Sequence, residues 1–241
     1  MCTVSFIPVK DHIYITSNRD EKLVRKKAIP PKKYNIGNTI LIFPKDGEAG
    51  GTWIALRENG DASVLLNGGF KKHIPTLSYD RSRGLVFLEV ISESMHAAHF
   101  LRMNLQKIEP FTLVMFENNN LYECRWTGNK KYCRQLLKSK PHIWSSVTLY
   151  DEKVISKRES WFTEWLKNSP CPIQEDILRF HLFGGESDMY NDFRMNRDNQ
   201  VLTVSVTGID INSKIATMKY FDLIDTSMQE TKFDFHPAHV V

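Results

Sequence analysis

Four times along this chain, two short β-prone runs are joined by a tight polar turn, and that pattern confines the fold to antiparallel sheet. Residues 3–8 and 12–16 flank Lys10-Asp11, and residues 52–56 and 62–66 flank Asn59-Gly60, a dipeptide favoured in two-residue hairpin turns. Residues 111–116 and 121–126 enclose Asn118-Asn119-Asn120, and residues 201–207 and 215–221 enclose Asn212-Ser213. Residues 39–43 form a further strand. Between the hairpins the apolar spacing turns helical. Residues 83–105 hold Leu85, Leu88, Val90, Ile91, Met95, Ala98, Phe100 and Leu101 on one or two amphipathic helices. Residues 151–168 place Val154, Ile155, Trp161, Phe162, Trp165 and Leu166 near one face and stop before Pro170, and residues 172–183 run from Pro172 to the Gly184-Gly185 break. Hairpins with helices grouped between them predict an α+β class, sheets covered by helices. Residues 184–200 read as a polar loop of the length that usually borders a site.

A chain of 241 residues, 41% hydrophobic and 25% charged, can bury a core without staples. No linker, repeat or composition shift divides it, so one domain over residues 1–241 is expected. No run approaches the ~20 apolar residues of a membrane-crossing helix. The first residues lack the basic and apolar regions of a secretory signal, which predicts a cytoplasmic protein. In that reducing setting Cys124, Cys133 and Cys171 read as core or surface thiols. The net charge of +4 is concentrated in residues 22–33, where Lys22, Arg25, Lys26, Lys27, Lys32 and Lys33 surround Pro30-Pro31. Without interleaved aromatics this run reads as a solvated loop able to attract an anionic substrate, and nucleic acid is not an expected partner. The pairs His96/His99 and His236/His239 have no third ligand in view and read as packing or surface histidines; no metal and no cofactor is expected.

Chemistry concentrates at the start. Removal of Met1 would leave Cys2 with a thiol and a free α-amine on one residue. The thiolate is a strong nucleophile, and an α-amine with an ordinary pKa of roughly 7.7–8.0 is suited to act as its base. After the second strand comes Ser17-Asn18-Arg19-Asp20-Glu21, which reads either as a solvated turn with a surface ion pair or as part of a site. A tight hairpin would set Cys2 opposite residue 17 or 18, bringing that segment within reach of the thiol. Arg19 could then lower the thiol pKa and hold a substrate carbonyl or carboxylate, while Asp20 could accept from the α-ammonium.

Met1-Cys2 with Asn18-Arg19-Asp20-Glu21 resembles the NRDE family. So do Gly50-Gly51-Thr52-Trp53, Leu66-Asn67-Gly68, Arg81-Ser82-Arg83-Gly84 and Val201-Leu202-Thr203-Val204, and the likeness extends over nearly the whole length. That family is similar to the N-terminal nucleophile hydrolases, in particular the cysteine group of penicillin V acylase and bile-salt hydrolase. The resemblance implies an αββα sandwich of two antiparallel sheets between helical layers. It implies Cys2 as nucleophile, Arg19 and Asp20 beside it, and substrate contacts at Asn18, Ser146 and Arg197. Asn67 is either an oxyanion donor or a plain turn residue. Ser146 stands where the family usually has an asparagine, and Arg197-Asp198-Asn199 where it tends to read Arg-Ser-Ser. Two functions follow. One is hydrolysis of a non-peptide C–N amide bond through a thioester, with a small amide or acyl substrate. The other is non-catalytic binding or trafficking, related to haem or lipid, on the same scaffold. The oligomeric state is left open.

Overall fold

The computed structural model describes residues 3–75 and 78–235, so Cys2, His236 and His239 lie outside the described residues. In chain order the elements are β1 (Thr3–Val9), β2 (His12–Lys22), β3 (Ile29–Ile36), β4 (Thr39–Lys45), β5 (Ile54–Arg57), β6 (Ala62–Asn67), α1 (Arg83–Ser92), α2 (His96–Arg102), β7 (Phe111–Glu117), β8 (Asn120–Trp126), β9 (Lys131–Leu136) and β10 (His142–Ser145). There follow α3 (Glu152–Asn168), α4 (Gln174–Phe183), β11 (Asn196–Arg197), β12 (Val201–Ile211), β13 (Ile215–Asp222) and β14 (Ser227–Asp234). One sheet runs β10-β1-β2-β12-β13-β14 with β11 on β12, and the other runs β3-β4-β5-β6-β7-β8-β9. All pairings are antiparallel.

The layering follows from which faces are apolar. Val4, Phe6, Ile15, Ile209 and Met218 of the first sheet meet Ile42, Ile54, Leu56, Val64 and Val114 of the second in one core between the sheets. The outer face of the second sheet, with Leu41, Phe43, Leu113 and Met115, is covered by Val86, Phe87, Val90 and Ile91 of α1 and Phe100 of α2. Ile7 and Tyr14 on the outer face of the first sheet pack against Phe162 of α3 and Ile177 and Phe180 of α4. The result is the expected α+β, αββα sandwich. Each fully buried large side chain contributes on the order of 1.5–3 kcal/mol relative to exposure.

Several turns carry the local chemistry read from the chain. Asn118 and Asn119 both adopt positive φ between β7 and β8, and Gly60 does so between β5 and β6. Ser82 caps α1 by accepting from the Leu85 N–H, and Asp151 caps α3 by accepting from that of Val154.

The structure also corrects the reading in three places. Asn18-Arg19-Asp20 is neither turn nor solvated: β2 continues through it, and the three residues are 0%, 4% and 3% exposed. The continuation is possible because β12 pairs with β2 from Ile13 to Lys22 and supplies backbone partners along that length. The basic run of residues 22–33 is not all loop, since β3 begins at Ile29 and forms an edge of the second sheet. Pro30 and Pro31 are tolerated there because an edge strand leaves amide positions that need no partner. Cys124 and Cys133, read as separate thiols, face each other across β8 and β9 and form a disulfide, while Cys171 is free and exposed.

Candidate functional site

The site is built on the two faces of β2. Successive strand residues point to opposite sides. Val4, opposite Ser17, faces between the sheets, and Arg19 shares that side, its guanidinium lying 4.4 Å from the ring centre of Trp53. Thr3, opposite Asn18, faces the helices, and so do Asn18 and Asp20. A β-bulge in β12 between Thr203 and Ser205 falls opposite this stretch: Thr203 pairs with Asp20 and Ser205 with Arg19. Bulges of this kind re-aim side chains locally.

On the inter-sheet side Arg19 lines a cavity of about 130 Å³ together with Glu21, Arg25, Asp46, Trp53 and Asn67. Arg19 donates to Asp46 Oδ2 at 2.7 Å, and Arg25 makes a two-pronged contact with the same carboxylate at 3.0 Å. Burial alone would raise the Asp46 pKa. The hydrogen bonds from Arg25 and the Ala49 N–H, with the charges of Arg25 and Arg19, outweigh it and hold the carboxyl at about 2. Asp46 is therefore an anion throughout the working range, and it fixes the Arg19 fork in place.

The rest of the cavity wall comes from the glycine-containing motifs. Gly51, Thr52 and Trp53 line it with Ser82, Arg83 and Gly84. A Cβ on Gly51 would sit 2.4 Å from the Gly84 carbonyl carbon, so the two segments meet backbone to backbone. Thr52 Oγ1 donates to the Pro44 carbonyl at 2.6 Å and ties the same wall to β4. Gly68, at φ +86°, leaves no room for a Cβ, which would lie 2.6 Å from Val147 Cγ2. That close approach brings the segment after β10 against the end of β6, where Ser146 Oγ donates to the Asn67 carbonyl at 2.8 Å and shares a hydrogen bond with Thr148 Oγ1. Asn67 thus lines the cavity with a side-chain amide that has no hydrogen-bond partner among the described residues.

On the helix side Asp20 accepts from Tyr150 Oη at 2.7 Å and from Thr203 Oγ1 at 2.6 Å. Tyr150 is stacked against Arg158, whose guanidinium is 3.7 Å from the ring centre, with Arg197 at 5.2 Å. Arg158 is fully buried on α3 and donates to Thr3 Oγ1 and to the Asn191 and Asp192 carbonyls. Among the described residues it has no carboxylate partner, so a whole positive charge rests against Thr3, the residue that follows Cys2 in the chain.

Of the sequence-derived candidates, the structure brings Arg19 and Asn67 to one cavity and sets Ser146 against Asn67. Three others do not line that cavity: Asp20, held on the helix side by Tyr150 and Thr203, Asn18 and Arg197. Asn18 is consumed on the helix side: its amide donates to the carbonyls of His181 and Phe193 and its oxygen accepts from His181 Nδ1. His181 Nε2 then accepts from Ser5 Oγ at 2.7 Å, and burial, with the Arg158 charge, pushes the His181 pKa down to about 3, so the ring is neutral. Arg197 does not line the cavity; it holds the Tyr190 and Leu149 carbonyls and reaches Asp20 only through Tyr150. His96 is a fully buried packing residue, 3.7 Å from Glu117 and 4.0 Å from Asp61, and no metal-holding cluster occurs among the described residues. Sequence reasoning missed Arg158, Tyr150 and Asp46. Arg158 left one signal, an arginine four residues after Val154 and four before Phe162, on the apolar stripe of α3.

Comparison with known proteins places the chain in a family. The family model described as Transport and Golgi organisation 2 matches residues 1–218. The chain belongs to that family. Its fold is that of the N-terminal nucleophile hydrolases. A Caenorhabditis elegans N-acylethanolamine-hydrolyzing acid amidase ortholog is similar in structure, with a TM-score of 0.59 at 12% identity, covering 86% of this chain and 92% of that one. A single-residue variant of conjugated bile acid hydrolase from Clostridium perfringens is also similar, with a TM-score of 0.55 at 11% identity and full coverage of both chains. No curated protein matches the chain by sequence. No helix among the described residues is long and apolar enough to cross a membrane.

Proposed function

We propose that this member of the family is an N-terminal cysteine hydrolase that cleaves a non-peptide C–N amide bond after removal of Met1. The observation that carries the reading is the β1–β2 register. Thr3 stands opposite Asn18, which makes Arg19 the next residue beyond it, and Arg19 and Asn67 line one cavity. The reading requires Cys2 to continue the alternation of β1, in which Val4 faces between the sheets and Thr3 faces the helices. The two similar structures, an amidase and a bile acid hydrolase, support a small-molecule amide as substrate.

In this mechanism the α-amine of Cys2 takes the thiol proton, and the thiolate sulfur bonds to the substrate carbonyl carbon. Charge moves to the carbonyl oxygen, where the Asn67 amide donates to it. The oxyanion collapses, the C–N bond breaks, and the leaving amine carries away the proton held on the α-ammonium. Water then attacks the thioester, giving up its proton to the α-amine, and the acid leaves as the thiol is restored. Arg19, braced by Asp46, positions the substrate. Asp20, fixed by Tyr150 and Thr203, orients the α-amine. Two mass measurements test this. The purified protein must lack Met1, and incubation with a panel of amides and esters must add an acyl mass that is absent in Cys2→Ala. Retained Met1, or acyl addition to neither protein, sinks the reading.

A binding function is favoured by one feature. The Ser146 hydroxyl, at the position of the family's asparagine, is already committed to the Asn67 carbonyl. A Cys2 thiol with ordinary alkylation kinetics at neutral pH and no acylation would select that alternative.

A further inference from the structure

We propose that the rim of the Arg19 cavity is a docking surface for an anionic lipid bilayer. Two loops spring from the cavity wall. The first leaves it at Glu21 and Arg25, and the second leaves at Asn67 and returns at Ser82 and Arg83, all of them cavity-lining residues. Each loop carries exposed apolar side chains. The β-turn closed by the Arg25 N–H on the Lys22 carbonyl presents Leu23 and Val24, and Val24 is 93% exposed. The second loop presents Ile74 at 91% exposure, while the half-exposed Phe70 is held against Tyr132 and Arg125.

Two of the cations beside these tips are neutralised and four are not. Arg25 is paired with Asp46, and Lys27 with Asp222 and Asp225. Lys22, Lys26, Lys71 and Lys72 have no carboxylate partner among the described residues, and all four are exposed. The first turn is held rigid by Arg25 on Asp46 and by the Leu23 N–H on the Gln200 carbonyl, so the aliphatic tip cannot fold back onto the protein without breaking those contacts.

Exposed apolar tips with flanking lysines match the boundary between headgroups and acyl chains. The apolar groups leave water while the ammonium groups meet lipid phosphates. A nucleic acid would meet the lysines but would leave Val24 and Ile74 in water. Docking in this orientation turns the cavity toward the membrane. It does not depend on whether the site is catalytic.

The test is sedimentation of the full chain with lipid vesicles of phosphatidylcholine alone or mixed with phosphatidylserine. The expected result is partitioning onto the phosphatidylserine vesicles only, lost at high salt. Val24→Ser with Ile74→Ser should weaken it at least about tenfold, and Lys22→Gln and Lys26→Gln about fivefold each. Met95→Ser should leave it unchanged. Met95 is about as exposed as Phe70, but it adjoins His96, which lies against Asp61 at the end of β6 away from Asn67. A thermal midpoint equal to the parent's shows that each variant is folded. No partitioning, equal partitioning onto neutral vesicles, an unchanged partition in the tip and lysine variants, or an equal loss in Met95→Ser would each overturn the proposal.

Discussion

Arg158 is the side chain on which most depends. It is a buried cation that joins α3 to Thr3, to the loop carbonyls of Asn191 and Asp192, and through Tyr150 to Asp20. A methionine of similar length keeps the packing but leaves two carbonyls and the Thr3 hydroxyl unsatisfied. Arg158→Met should therefore lower unfolding free energy by about 3 kcal/mol, read from urea midpoints. Arg158→Lys should recover only part of that stability, since the charge returns without the fork. Asn67 makes the opposite case, a residue with little structural duty in its side chain. Asn67→Ala should change stability by less than about 0.5 kcal/mol. The rate of Cys2 acylation should fall by ~10²–10³ if its amide holds the oxyanion.

At the scale of elements, the cavity exists because two backbone segments approach closely and one strand bulges. Gly51→Ala would place a methyl 2.4 Å from the Gly84 carbonyl carbon, and neither neighbour is a flexible side chain. The wall must open, and a loss of about 2–4 kcal/mol is expected in denaturant unfolding. Gly84→Ala meets Thr52 backbone atoms at 2.9 and 3.1 Å and should be milder. These glycines are visible in the chain as parts of motifs, but their mutual contact is not, because positions 51 and 84 share no hairpin. The same limit hides the length of β2. Its polar end reads as a turn when taken alone, and only the pairing with β12 shows that it is buried strand.

Over the whole molecule, two neutral histidines set the acid limit. Burial is the first cause of depression for both: His181 is brought down to about 3 and His96 to about 4. The unfolded chain takes up protons on these rings near about 6.5, while the folded chain does so only below about 4. Stability is therefore full above about pH 6.5 and falls as pH drops from there toward about 3–4. Thermal midpoints measured between about pH 7 and 4 should decline accordingly. His181→Gln should start lower, having lost the Ser5–His181–Asn18 chain, and decline less steeply. An equal slope in that variant would refute the assignment.

Local spacing determined the α+β class, most of the strands and helices, and the Cys2 and Arg19 candidates, because hairpins and amphipathic faces are written over a few neighbouring residues. The edge strand β3, the short β10 and the Cys124–Cys133 pairing escaped that reading, since prolines, brevity and an assumed reducing setting argued against them. Only the folded chain decided which face each residue of the Asn18-Arg19-Asp20 run occupies. One step along a strand reverses direction, so Arg19 enters the cavity while Asn18 and Asp20 turn to the helices. Strand register and the β12 bulge set that choice, and both arise from contacts between residues nearly two hundred positions apart.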